Sequence, residues 1–149
     1  DVAVTGVQTC ALPIWPWADE ATLLAAAERA WQGLTRAQLA EAVAHHPRLG
    51  ESRAAVAVST QASAWSAGEQ AGTRDADADT RAALAQGNRD YEARFGHTFI
   101  LCASGRSAGE MLAALRARMT NDPETELDVT AHELWRITRL RLEKLLAGA

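Results

Sequence analysis

Ser107–Leu146 reads SAGEMLAALRARMTNDPETELDVTAHELWRITRLRLEKLL, and this stretch decides the fold class. Ser107-x-x-Glu110 has the spacing of a capping box, in which the serine and the glutamate each satisfy an orphan N–H of a first helical turn. Met111, Leu112 and Leu115 then recur at helical spacing, which predicts a helix to about Met119. Asn121-Asp122-Pro123 breaks that pattern and opens another, because proline is tolerated in a first turn. The second helix is expected to run to about Leu146, with Leu127, Leu134, Ile137, Arg141 and Leu145 near one face. An arginine on an apolar stripe needs a partner, and this singles out Arg141.

The same punctuation continues upstream. Asp19 is placed to cap a helix running to about Trp31, with Leu23, Leu24, Ala27 and Trp31 on one face, and Gly33 ends it. Thr35-x-x-Gln38 is a second capping box. The helix it opens carries Leu39, Val43 and His46 inward and ends at His46, because Pro47 disfavours helical geometry in the residue before it. Ser52 to Ala64 is rich in alanine and reads as helical. The acidic run Asp75 to Asp79 leads a helix through Thr80 to Phe95, with Leu84 and Tyr91 one heptad apart and Gly96 as its C-cap. Phe99-Ile100-Leu101-Cys102 is too short to assign by periodicity: it is either a buried extended segment or the turn between helices. The fold class is therefore all-α, a compact single-domain helical bundle.

Composition narrows the function. The chain has 149 residues, enough for one domain with a sizeable core. Its 48% apolar and 23% charged residues are ordinary for a globular protein. A net charge of -4 argues against a nucleic-acid binder, which would show a basic face. No apolar run reaches the ~18 residues needed to cross a membrane. The two cysteines, Cys10 and Cys102, lack metal-ligand or redox spacing, and a reducing compartment without a disulfide is expected. Asp1 to Ile14 differ in character from the rest. Val4 to Ile14, VTGVQTCALPI, reads like the translation of a common sequencing-library adapter. Residues 1–14 are accordingly expected to be non-native, and 15–149 to be an N-terminally truncated domain.

Three places carry side chains suited to chemistry. His46 sits at a helix C-terminus, where the dipole favours the imidazolium by roughly 0.3–1 kcal/mol and would poise it as a proton donor. The plain alternative is that it only caps the helix. In Ser66-Ala67-Gly68-Glu69-Gln70, the spacing of Ser66 and Glu69 again fits a capping box. The functional reading instead puts Glu69 and Gln70 on a first turn facing an anionic ligand, with Glu69 handling a proton. Arg141 offers a planar fork suited to a carboxylate, or to a structural ion pair with Glu69 or Glu51. Arg139, two positions away, should face solvent. His97 and His132 are isolated and read as surface or core histidines, so no metal site is expected. Trp17, Trp31, Trp65 and Trp135 read as core.

Together these segments resemble one family. Ala44-His45-His46-Pro47-Arg48-Leu49-Gly50-Glu51 is similar to its AHPRIG-type signature. Trp65 to Gly72 resembles its S-x-x-EQ segment, and Asn88 to Gly96 its N-x-x-Y-x-x-x-FG segment. Phe99 to Cys102, Gly105-Arg106-Ser107 and Arg136 to Leu142 follow in the family's order. The family is the 2-oxo-4-hydroxy-4-carboxy-5-ureidoimidazoline (OHCU) decarboxylases of uric acid degradation, and the resemblance covers about Pro16 to Leu146. It implies a cofactor-free and metal-free decarboxylation giving (S)-allantoin, on a small anionic substrate, in the cytoplasm. No nucleic acid or membrane is involved, and a homodimer is expected. Residue by residue, His46 and Glu69 match the catalytic pair. Ser66 and Gln70 match substrate-contacting positions, beside Pro47. Arg141 matches the substrate-binding arginine, and the backbone of Phe99, Ile100 and Leu101 matches a pocket-lining segment. Family members often carry an N-terminal helix that helps build the pocket, and here the adapter-like segment stands in its place. The alternatives are a non-catalytic helical interaction domain that keeps the motifs as caps and core, and an inactive truncated fragment of the enzyme.

Overall fold

The computed structural model describes residues 19–44, 46 and 76–147. Among them are five helices and no strand: α1 (Glu20–Gln32), α2 (Arg36–Ala44), α3 (Ala78–Phe95), α4 (Ala108–Arg118) and α5 (Pro123–Ala147). The expectations for residues 1–18, for His45 and for 47–75 lie outside the described residues. These include the adapter-like segment, the helical reading of Ser52–Ala64, and Trp17 and Trp65.

Most helix ends follow the local signals, whereas α2 ends at Ala44, two residues before the expected His46. Asp19 and Asp77 cap α1 and α3 by accepting the N–H groups of Thr22 and Thr80, at 2.7 and 2.8 Å. Among the described residues two of the expected capping boxes form. The Gln38 side chain accepts the Thr35 N–H at 2.9 Å, and Glu110 accepts the Ser107 N–H at 2.8 Å. Gly96 closes α3 in the left-handed region at φ 75°, a conformation that costs glycine nothing and other residues strain. The turn before Pro123 is set by Asp122, whose carboxylate accepts the N–H groups of Glu124 and Thr125.

Two cores form, and α5 is long enough to serve the second while its first turns reach the first. In one, α3 packs on α4: Leu84, Tyr91, Met111, Leu112 and Leu115 close around Phe99, Leu101 and Ala103. The two helices approach closely at Gly87, where a Cβ would come within 2.8 Å of Leu115 Cδ2. In the other, α1 and α2 pack on α5, and Val43, Leu134 and Ile137 surround Ile100 and Cys102. Trp31 of α1 lies against Trp135 of α5 with ring centroids 5.7 Å apart, so both are packed as expected.

The face expected from spacing on α5 is buried over only part of its length: Leu145 is 47% exposed. The fully buried positions of α5 end at Ile137, and every described position beyond it is half-buried or exposed. The heptad spacing persists there, but neither described core extends that far.

Candidate functional site

The segment between α3 and α4 organises the site. Phe99 to Cys102 are each at most 8% exposed, yet form neither helix nor strand. Their side chains alternate between the cores. Phe99, Leu101 and Ala103 enter the α3–α4 core, whereas Ile100 and Cys102 enter the α2–α5 core. This period of two is the mark of extended backbone. Of the two readings left open for the segment, the buried extended one holds.

A buried extended chain without a sheet partner must satisfy its N–H and C=O groups by other means. Two charged side chains do so here. Arg118, at the end of α4, donates from Nη1 to the Ile100 carbonyl at 2.7 Å. Glu133, on α5, accepts the Cys102 N–H at 2.8 Å. Neither residue stands out by local pattern, and both were missed as site elements. One signal was available for Arg118: it follows Met111 and Leu115 on the same helical stripe, the argument already applied to Arg141.

Arg118 is itself held in a buried network. Its Nε donates to Glu126 Oε1 at 2.8 Å and its Nη2 to Thr130 Oγ1 at 2.8 Å. Tyr91 donates its hydroxyl to Glu126. Asn121 donates from Nδ2 to the other Glu126 oxygen at 2.7 Å. The guanidinium also stacks over the Phe99 ring, 4.6 Å from its centroid. Burial, with the bond to Glu126, pushes the Tyr91 phenol far above its ordinary pKa, so it stays a neutral donor. Glu126 and Thr130 are fully buried. A charge so placed is tolerated only when paired and fully hydrogen-bonded, which this network accomplishes.

The described candidates divide as follows. His46 is half-buried two residues past the end of α2, and its N–H donates to the Val43 carbonyl at 3.1 Å. Val43, three residues earlier, is fully buried against the segment's even-numbered side chains. Arg141 is half-buried on α5, one turn after Ile137 of the same cluster. Ile100 belongs to that cluster directly. The second core therefore gathers the end of α2, the buried segment and the middle of α5. Phe99 and Leu101 turn their side chains the other way and share only backbone with it. Pro47, Ser66, Glu69 and Gln70 lie outside the described residues. Arg139 is exposed, as expected, and pairs with Glu143 at 2.9 Å. His132 is exposed, and His97 is half-buried with its ring edge-on to Tyr91. Among the described residues no three of His, Cys, Asp and Glu gather as a metal-binding group, and Cys102 is a buried free thiol. No helix among them is long and apolar enough to cross a membrane.

These features define an all-α domain in which a buried extended segment is threaded between two helical cores and tied to both by charged side chains. The OHCU decarboxylase family model matches residues 3–143, and the chain belongs to that family. It is 48% identical over 64 residues to the uric acid degradation bifunctional protein TTL of Arabidopsis thaliana, covering 43% of this chain and 20% of that protein. It is 38% identical over 79 residues to the mouse OHCU decarboxylase, covering 53% of this chain and 44% of the relative. The match to the Amia calva enzyme is 34% over 77 residues, covering 52% and 44%. The chain thus spans less than half the length of these curated relatives. A crystal structure of OHCU decarboxylase in the presence of (S)-allantoin superposes with a TM-score of 0.77 at 29% identity. It covers 97% of this chain and 92% of the other.

Proposed function

We propose that this chain catalyses the cofactor-independent decarboxylation of 2-oxo-4-hydroxy-4-carboxy-5-ureidoimidazoline to (S)-allantoin. The observation that carries the reading is the convergence of the α2 end, the buried segment and α5 on one core, in a chain of this family. Loss of the carboxylate leaves an electron pair on the ring, and the adjacent carbonyl accepts it. Preorganised donors stabilise that charge. His46 and Glu69 manage the hydroxyl proton and the proton delivered to carbon. Arg141 holds the anionic substrate as a planar fork. Ser66, Gln70, Pro47 and the Phe99–Leu101 backbone line the pocket. The protein acts in the cytoplasm as a homodimer, and sedimentation velocity tests that assembly.

The test is a coupled assay from urate. The chain should remove the lag of spontaneous decay and give a single enantiomer. His46→Ala and Glu69→Ala should each restore the lag by lowering the rate at least 10²-fold, within the range that general acid–base groups contribute. An unchanged rate and handedness in both variants would sink the site assignment. A parent chain no faster than spontaneous decay would sink the activity and favour the interaction domain or an inactive fragment. Residues 15–149 are proposed as the decarboxylase domain, and resequencing the 5′ end of the gene tests the non-native origin of 1–14.

A further inference from the structure

We propose that Arg118 and Glu133 are positioning residues of the site, setting which backbone groups the Phe99–Leu101 segment offers to substrate. Arg118 fixes the Ile100 carbonyl, and Glu133 fixes the Cys102 N–H. Both bonds lie on peptide planes that flank Leu101. A trans peptide directs its C=O and N–H in opposite senses. With the Ile100 carbonyl turned to Arg118, the Leu101 N–H is turned away from it. With the Cys102 N–H turned to Glu133, the Leu101 carbonyl is turned away in the same manner. Neither clamp uses these two Leu101 groups, so they form one donor–acceptor edge. That edge matches the adjacent C=O and N–H groups of a cyclic amide or urea. The clamps come from different helices, α4 and α5. They therefore hold the peptide planes on both sides of Leu101 from two independent elements.

Several features argue for a fixed rather than incidental arrangement. Arg118 has no freedom to turn, because Glu126, Thr130 and the Phe99 ring hold its other nitrogens and its face. Glu133 is 8% exposed, and its other oxygen takes Arg136 Nη1 at 3.0 Å. Hydrogen bonds with one charged partner are about twice as strong as neutral ones, which suits holding a single peptide orientation.

The proposal rests on the decarboxylase reading, and its test separates the two. Glu133→Met keeps length and apolar volume but removes the acceptor, whereas Glu133→Gln retains one. Asp77→Ala removes the cap of α3 without touching Arg118, Glu133 or the segment. Steady-state kinetics of the full chain and (S)-allantoin titration are read beside thermal melts. For E133M, KM and the (S)-allantoin Kd should rise together by on the order of tenfold, with kcat within about threefold. This is the pattern of a lost uniform binding interaction. E133Q should recover most of the loss. D77A should lower Tm but leave both constants unchanged. The Cys102 amide proton should shift upfield in E133M and stay near its parent position in E133Q. If E133M does not melt cooperatively, Glu133→Asp replaces it, with the same KM and Kd shift expected from its shorter reach. Folded E133M or E133D with parental KM and Kd overturns the positioning role. A parent that neither turns over substrate nor binds (S)-allantoin overturns the decarboxylase reading, and the positioning role with it. In that case the parent fails, not only the variants.

Discussion

Glu126→Ala is the most informative single perturbation of this fold. Glu126 is fully buried and accepts from Arg118, Tyr91 and Asn121. Its removal leaves the Arg118 guanidinium, on a side chain only 10% exposed, without a counter-charge. Breaking one partner out of a buried pair costs about 3–5 kcal/mol. A domain of this size is stable by about 5–15 kcal/mol in total, so the loss is a large share. At about 2–4 °C per kcal/mol, Tm should fall by roughly 6–20 °C. The double variant Arg118→Met, Glu126→Leu is the instructive companion. Replacing both charges by apolar groups is often neutral, so it should regain part of the loss. Full recovery is not expected, because the Ile100 carbonyl loses its donor and an orphaned buried acceptor costs about 1–3 kcal/mol. Thermal and urea unfolding followed by circular dichroism at 222 nm reads all three proteins. E126A within 1 kcal/mol of the parent, or a double variant less stable than E126A, would refute the reasoning.

Other outcomes follow from single features. Gly87→Ala gains about 1 kcal/mol of helix propensity. It also drives a Cβ to 2.8 Å from Leu115, itself 2% exposed, so a net Tm decrease is expected, and a stabilised variant would contradict the packing. Ser107→Ala removes the capping box of α4 and should cost about 1 kcal/mol in urea unfolding. Asp19, Asp77 and Asp122 are held below their ordinary 3.8, and Glu110 below 4.5, by hydrogen bonds from their own caps. Groups with depressed folded values add stability above those ordinary values and lose it as pH falls through the folded ones. Tm should therefore fall below about pH 4, and Asp77→Asn should flatten that branch. Tyr91 is the single tyrosine, and its phenol is raised above 10 chiefly by burial. The stability it contributes is present below pH 10 and lost as pH rises beyond. Phenolate absorbance at 295 nm should thus appear only with unfolding, and a reversible titration near pH 10 in the folded chain would contradict the buried network.

The sequence by itself determined the helices it could mark locally. Asp19, the acidic run Asp75 to Asp79, the Ser107–Glu110 box, Gly96 and Pro123 each act within a few residues of their own position. The boundaries they predict are the boundaries observed. It also determined the family, because motifs in a fixed order survive without coordinates. Tertiary structure decided which charges are buried and why. Glu126 and Glu133 look like surface residues of an acidic helix. Their burial depends on partners far away in the chain, with Tyr91 35 residues from Glu126 and Cys102 31 residues from Glu133. The extended path of Phe99–Ala103 is of the same kind. It is stable only because two cores from different helix pairs receive its alternate side chains and two charged side chains answer its backbone. Leu145 shows the converse: its spacing is right, but no described core lies under it. Periodicity can state which residues share a face, but burial requires something packed against that face.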